Sequence, residues 1–490
     1  MIHPERIKNR GARNKNSNGT YVLYWMQQSQ RVLDNHALEY GCVQANELNV
    51  PLLVLFVVTP DFPEANSRHY MFMLQGLRHT ARQLSERGIG MTIRIGDPVL
   101  TVSAAAEEAK LVVTDRGYLR LQRQWRDTLS RHVDCPIIEI ESDVVVPVET
   151  VSEKEQYSAA TIRPRIHRNL AAFLHPVSPV PVRSPSMNTI LPGSDQLELD
   201  IRFMEDTDLR NRLQQLKVDR EVSPVEWISG GTGEALKILK YFLTTHLSSF
   251  HDKRNDPAGD LLSNMSPFLH FGQLSPITIA LHVMESCSRW KLDSGTPPPP
   301  LESMPPSAGA YLEELIVRRE LSMNFVNYNS QYDSLGCLND WAKKTIRAHA
   351  RDERPVYYPL EQLEAANTHD EYWNAAQKEM VCRGKMHGYM RMYWGKKIIE
   401  WSGSAEEAHA AMVYLNNKYF LDGRDANGYT GIAWCFGKHD RAWKEREIFG
   451  KLRYMNARGL ERKFQIEEYV NRISREWKNF SAAAVPDPAL

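Results

Sequence analysis

The hydrophobic period of this chain changes once, and the change divides it. Up to about Ile140 short apolar runs of strand character alternate with segments whose apolar residues recur every three or four positions. The runs cover 21–26, 51–58 (PLLVLFVV), 91–95, 111–114 and 136–140, with helical patterns at 30–48, 67–87, 98–109 and 119–131 between them. Strand, helix, strand in alternation predicts a parallel, doubly wound, Rossmann-like sheet. Such sheets take ligands at the carboxyl ends of their strands, yet no GxGxxG stands there, so a dinucleotide fingerprint is absent. Beyond Pro224 strand patterns cease. Helical periodicity follows at 233–247, 276–286, 310–327, 338–350, 360–366, 370–383, 384–401, 405–419 and 440–456.

The expected fold class is therefore α/β plus all-α, in five parts: a disordered lead at 1–19, an α/β domain at 20–170, a linker at 171–224, a helical domain at 225–480 and a tail at 481–490. The linker contains HPVSPVPVRSPS, which cannot continue a helix and is expected to wrap across the surface. TPPPPLESMPP at 296–306 reads as an exposed loop.

Charge excludes little, since 60 Lys and Arg balance 60 Asp and Glu. Its distribution says more: from Lys438 to Lys463 nine basic residues face four acidic ones, which is either a solvated face or a phosphate-contacting patch. Six cysteines show no CxxC and no His cluster at zinc-ligand spacing, as expected of a reduced, intracellular, metal-free protein. The first twenty residues are polar and basic, and no apolar run reaches the ~20 residues of a membrane span. A cytoplasmic protein is expected.

Four local signals in the helical half carry chemistry. GKMHGYMRMYWGKKIIEW, 384–401, places Met386, Tyr389, Met390, Tyr393, Trp394, Ile398 and Trp401 on one helical face, with Arg391 a turn before Trp394. Trp394 and Trp401 lie about 10 Å apart along that axis. A guanidinium beside a line of indoles suits an anionic or electron-accepting ligand, although a core helix alone also shows aromatic stripes. In LLSNMSPFLHFGQLSP, 261–276, Ser263, Asn264 and Ser266 precede a proline-started helix and suit a pyrophosphate, or serve as an ordinary cap. LDGRDANGY, 421–429, offers Asp422 and Asp425 in a turn, where a carboxylate can pair with a guanidinium. IAWCFGKHDRAWKERE, 432–447, interleaves Trp434 and Trp443 with Lys438 and Arg441, as proteins do when they stack bases and hold phosphates.

Taken together, SNMSPFLHFGQ, YWNAAQ with GKMHGYMRMYW, LDGRDANGYTGIAW and HDRAW, in this order behind an α/β domain, resemble the photolyase and cryptochrome family, and within it the class II cyclobutane pyrimidine dimer photolyases. The resemblance runs from about Tyr21 to Arg472. It implies light-driven repair of UV-damaged DNA: reduced FAD, bound in a U shape in the helical domain, gives an electron to a flipped-out cyclobutane dimer and splits it. An antenna-type N-terminal domain is also implied, and its chromophore, deazaflavin, folate or none, is left open. By matching position, Leu262, Ser263, Asn264, Met265 and Ser266 surround the FAD phosphates, Arg391 and Asp422 form the pair beside the isoalloxazine, and Asp422, Gly423 and Arg424 line the adenine and ribose loop. Gln273, His387 and Asp425 complete the cofactor set, and Asn416 faces flavin N5 with Asn427 as its rival. Trp394, Trp373 and Trp401 match the photoreduction chain, and Glu320 the glutamate that hydrogen-bonds the pyrimidine. Trp434 matches the lesion wall, Arg441 and Trp443 the residues that fill the gap left by the dimer, and Lys438 and Met392 further DNA contacts. The loop CFGKHDRAW is one residue tighter than in some relatives, which loosens the match at Arg441 and Trp443. A monomer without metal or obligate protein partner is expected. The alternatives are a cryptochrome-like blue-light receptor without repair, and a non-catalytic nucleic-acid-binding protein that would leave the indole line without a purpose.

Overall fold

The computed structural model describes residues 2–10, 16, 18–192, 198–293 and 295–484, so the end of the expected tail, 485–490, lies outside the described residues. A six-stranded sheet, β1 Ile7–Asn9, β2 Tyr21–Trp25, β3 Leu52–Val58, β4 Gly90–Ile95, β5 Ala109–Asp115 and β6 Ile137–Ile140, forms in the order β1-β6-β5-β2-β3-β4. Every residue of β2 (YVLYW) and β3 (LLVLFVV) is buried, which is why these strands read as unbroken apolar runs: helices cover both faces. All pairings are parallel except the edge, where β1 runs antiparallel to β6.

That edge corrects the expectation of a disordered lead at 1–19. Its polar strand carries no apolar signal, but it brings in Arg6, whose buried guanidinium donates to the carbonyls of Glu141, Val144 and Val145. The region read as linker also holds a helix, Asp206–Gln215, which packs on Ser67–Glu86, and it drapes over the edge strand, where Leu199 N–H donates to Ile93.

The remainder is helical. The helices expected at 370–383 and 384–401 both form, the second starting four residues late. Glu371–Arg383 ends on Gly384 in the left-handed region, φ 65°, and Gly388–Trp401 begins after His387, whose side chain accepts from Tyr389 N–H. The helix expected at 440–456 does not form. Gly437 and Gly450, both at positive φ, turn the chain into a loop closed by an Arg446–Gly450 bridge, and regular helix resumes only at Ala457–Lys463 and Ile466–Ala484. Pro306–Leu312 passes into Arg319–Tyr328 through a π-helical turn, Glu313–Arg318.

The two halves meet along a polar seam. Gly272, at φ 61°, turns there so closely that a Cβ would stand 1.8 Å from the Gln28 carbonyl. Gly272→Ala is expected to lower stability by at least about 2 kcal/mol, through strain and overpacking at once. An unchanged urea midpoint would show that the seam can give way.

Candidate active site

Three helices and one loop bring most of the chemical side chains together. Arg391, on the first turns of Gly388–Trp401, lies 3.4 Å from Asp422 and 3.8 Å over the Phe420 ring. Both members of the pair are only part-buried. Open space borders them: a Cβ on Gly388, or on Gly431 of Ala426–Cys435, would meet no atom within 4 Å. Gly423 is needed for the opposite reason, since a Cβ there would stand 2.9 Å from the carbonyl oxygens of Asn416 and Asn417.

Behind Arg391 runs the indole line. Trp373, Trp394 and Trp401 are all essentially buried. Trp373 and Trp394 stack with centroids 6.5 Å apart and planes 5° from parallel, and Trp401 meets Trp373 edge-on at 5.5 Å. Each inner indole N–H has an acceptor, the Trp394 carbonyl for Trp373 and Gln377 Oε1 for Trp394, so the rings are fixed as well as buried. Tyr358 packs 5.3 Å from Trp401 and reaches the exposed His369.

Around Ser263 and Asn264, Lys385 Nζ bridges Asn264 Oδ1 at 2.9 Å and Asp260 Oδ1 at 2.8 Å. Burial works against the Asp260 charge, but Lys385 and Arg383 hold its carboxyl well below the usual range. Asn264 sits at φ 57°. Leu262, Ser263 and Asn264 are half-buried, Met265 is buried, and Ser266 opens a five-residue helix with its side chain exposed. Hydroxyls, an amide and a lysine suit a diphosphate, and a half-open guanidinium and carboxylate bordered by glycines suits a polar heteroaromatic ring. These residues fit FAD.

With this geometry in view, the comparisons decide the family. The DNA photolyase family profile matches residues 22–185. The deoxyribodipyrimidine photo-lyase of Methanothermobacter thermautotrophicus is 49% identical over 473 residues, 96% of this chain and 99% of that protein. The chain belongs to the DNA photolyase family. The deoxyribodipyrimidine photo-lyase of Potorous tridactylus is 40% identical, covering 92% of this chain and 81% of its own. Photolyases therefore supply both the enzyme class, deoxyribodipyrimidine photo-lyase, and the role, DNA repair. Solved structures agree on the fold. A class III photolyase of Agrobacterium tumefaciens has a TM-score of 0.65 at 15% identity, covering 97% of this chain and 92% of its own. A photolyase of Sulfolobus tokodaii described with two FAD molecules scores 0.64 at 13%, covering 96% and 94%.

Within this photolyase four expected site residues face elsewhere. Gln273 is fully buried in the seam, its amide accepting from Gly231 N–H and donating to the Phe72 carbonyl, so it has nothing left for a cofactor. Lys438 is buried, paired with Glu155 and donating to the Cys337 carbonyl 2.7 Å away, which removes it from any DNA-contacting face. Arg424 turns toward the α/β half, donating to the Asn417 carbonyl at 2.7 Å and meeting His69 at 3.2 Å. Glu320 is buried with its carboxylate accepting Val145 and Val146 N–H. Burial raises its pKa to about 8, with those N–H groups opposing.

The remaining positions divide more evenly. Asn427 donates from Nδ2 to Asp425 Oδ1, whereas Asn416 donates to Asn417 and its Oδ1 receives no donor from the described residues. His387 is kept neutral by burial, its pKa near 4. Met392 is half-buried beside Arg391.

A residue the sequence reading passed over is Glu314. It stands on the π-helical turn with its side chain half exposed, 3.6 Å from Arg254, and Tyr311 lies between it and Ser263. Partial burial raises its pKa, with Arg254 and Arg318 opposing.

A second cavity opens at the seam over the carboxyl ends of β2 and β3. Trp25, Phe56, Phe62, Tyr70 and Phe271 supply its aromatic walls, Gln28, Gln122, His270, Arg424 and Asp425 its polar rim. Asp425 caps Ala426–Cys435 and accepts from His270. Burial alone would raise its carboxyl, but His270 and Asn427 N–H hold it at about 2. Among the described residues no cluster could hold a metal ion and no helix is long and apolar enough to cross a membrane.

The folded pKa of Glu320 exceeds its ordinary value of 4.5, so the folded state holds a proton that the unfolded state releases. Its contribution to stability is complete below 4.5 and declines as pH rises toward about 8. Glu320→Gln should flatten that decline in melting temperature, and parallel curves for the two proteins would refute the buried, protonated carboxyl.

Proposed function

We propose that this photolyase repairs cyclobutane pyrimidine dimers in UV-damaged DNA by light-driven electron transfer, in the manner of the class II enzymes. Bound FAD, reduced and excited by light, supplies the electron that opens the cyclobutane ring. Arg391 and Asp422 hold its ring system, and Ser263, Asn264, Ser266 and Lys385 its diphosphate. Asn416, whose Oδ1 is unclaimed, serves the flavin ring in preference to Asn427, whose amide is committed to Asp425. The Trp401, Trp373, Trp394 line conducts an electron from near the surface to the Arg391 end of its helix. What carries this reading is that contiguous line ending one turn from the Arg391–Asp422 pair.

A dimer inside a duplex cannot reach a recessed site, so it must flip out at a cost of a few kcal/mol, smaller for a poorly stacked lesion. Trp434 then walls the lesion, while Arg441 and Trp443 fill the gap. The carboxyl that hydrogen-bonds the pyrimidine is Glu314: it is reachable, and its raised pKa favours the protonated donor. The seam cavity holds a planar heteroaromatic antenna chromophore, deazaflavin or folate by the chemistry of its walls. The protein acts in the cytoplasm as a monomer.

Dimer content in irradiated duplex, measured with reduced protein in near-UV light and in darkness, tests the whole reading. Loss only in the light is expected; binding without loss would make the protein a receptor of the cryptochrome kind. Glu314→Gln should lower the repair quantum yield by a factor of about two or more, with Glu320→Gln near the unaltered value. The reverse order would return the role to Glu320. Trp373→Phe should slow photoreduction of oxidised flavin by roughly an order of magnitude or more, and leave repair by chemically reduced protein intact. Equal photoreduction in that variant would take Trp373 out of the line.

A further inference from the structure

The loop that replaces the expected 440–456 helix exposes a cation that no acid among the described residues neutralises. The half-buried Arg453 guanidinium lies over two indoles at once, 5.2 Å from the Trp434 ring centre and 4.5 Å from that of Trp443. Trp443 is also covered by Arg441, at 5.2 Å. Among the described residues the Arg453 side chain has no ion-pair partner and no hydrogen-bond acceptor. Nearby acids are already engaged: Asp440 accepts from Arg441 N–H and Trp443 Nε1, and Glu445 meets His349.

Two aromatic faces restrain a planar cation and confine its N–H donors to the gap between them. The fork is open to solvent, with none of its N–H groups both buried and unpartnered, so an anion from outside can reach it. A phosphate matches the fork in geometry and charge.

We propose that Arg453 is a DNA ligand: it grips one backbone phosphate of the dimer-bearing strand beside the Trp434 wall. The location rests on the repair reading above. The grip itself is tested in the dark, so its failure is distinct from any failure of the light-driven step.

The experiment titrates the flavin-loaded protein with a fluorescent duplex carrying one dimer, by anisotropy, over a series of potassium chloride concentrations. Arg453→Met should weaken binding about tenfold at moderate salt and reduce the slope of log affinity against log salt by about one. Arg453→Lys should keep the slope and regain only part of the affinity, since charge returns without the fork. A Met variant that binds more weakly at an unchanged slope would make Arg453 an internal spacer for the two indoles and overturn the proposal. Should the Met variant fail to hold flavin, Arg453→Lys decides with duplexes in which one phosphate at a time is a neutral methylphosphonate. The deficit of the Lys variant must vanish at one phosphate on the dimer strand, and persistence at every position overturns the proposal equally.

Discussion

Arg31 holds the two halves in register. Its guanidinium is wholly buried and joins two segments: Asp143 at 2.8 Å and the Ser142 carbonyl at 2.7 Å, and the Gly272 carbonyl, from the helical half, at 2.9 Å. Arg319 reaches the Asp143 carbonyl from the other side, and Thr278 donates to Asp34 at 2.5 Å. A buried ion pair gives little net stability over an apolar seam, yet removing one partner costs about 3–5 kcal/mol because the other charge is stranded. Directional bonds of this kind admit one docking geometry. The seam cavity depends on that geometry, since its walls come from both halves.

Much of this was legible in the sequence because burial leaves a period. The doubly buried strands β2 and β3 and the helices Ser67–Glu86, Pro276–Cys287 and Ala405–Tyr419 lie within a few residues of where apolar spacing puts them. The edge strand β1 left no mark, being polar and half exposed. At 440–456 aromatic and basic residues recur at helical spacing for another reason, as cation–π partners across a loop that two left-handed glycines require. Between Glu314 and Glu320 a π turn adds a residue to the helical turn, which shifts which side chains share a face. Glu320 is buried, bound to Val145 and Val146 N–H, while Glu314, six positions earlier, is half exposed beside Arg254. No periodic argument detects that.

Lys438 and Arg453 show what a charge count cannot say. Both belong to one basic run, in a chain whose formal charges cancel. One is buried, with a carboxylate for company, and the other is pressed between indoles with none. Whether a basic residue is available to a partner depends on the acids around it in space.

Asp422, Gly423, Arg424 and Asp425 are consecutive, yet the first pairs with Arg391 and the last two line the seam cavity. Three peptide steps span at most roughly 10 Å. The chromophore proposed for the cavity would thus be tethered to the Arg391–Asp422 pair by main chain, not by domain packing alone. Dipolar energy transfer falls so steeply with separation that a few ångströms of slack between domains would matter. On the proposed reading, main chain limits the distance between the cavity and the Arg391–Asp422 pair.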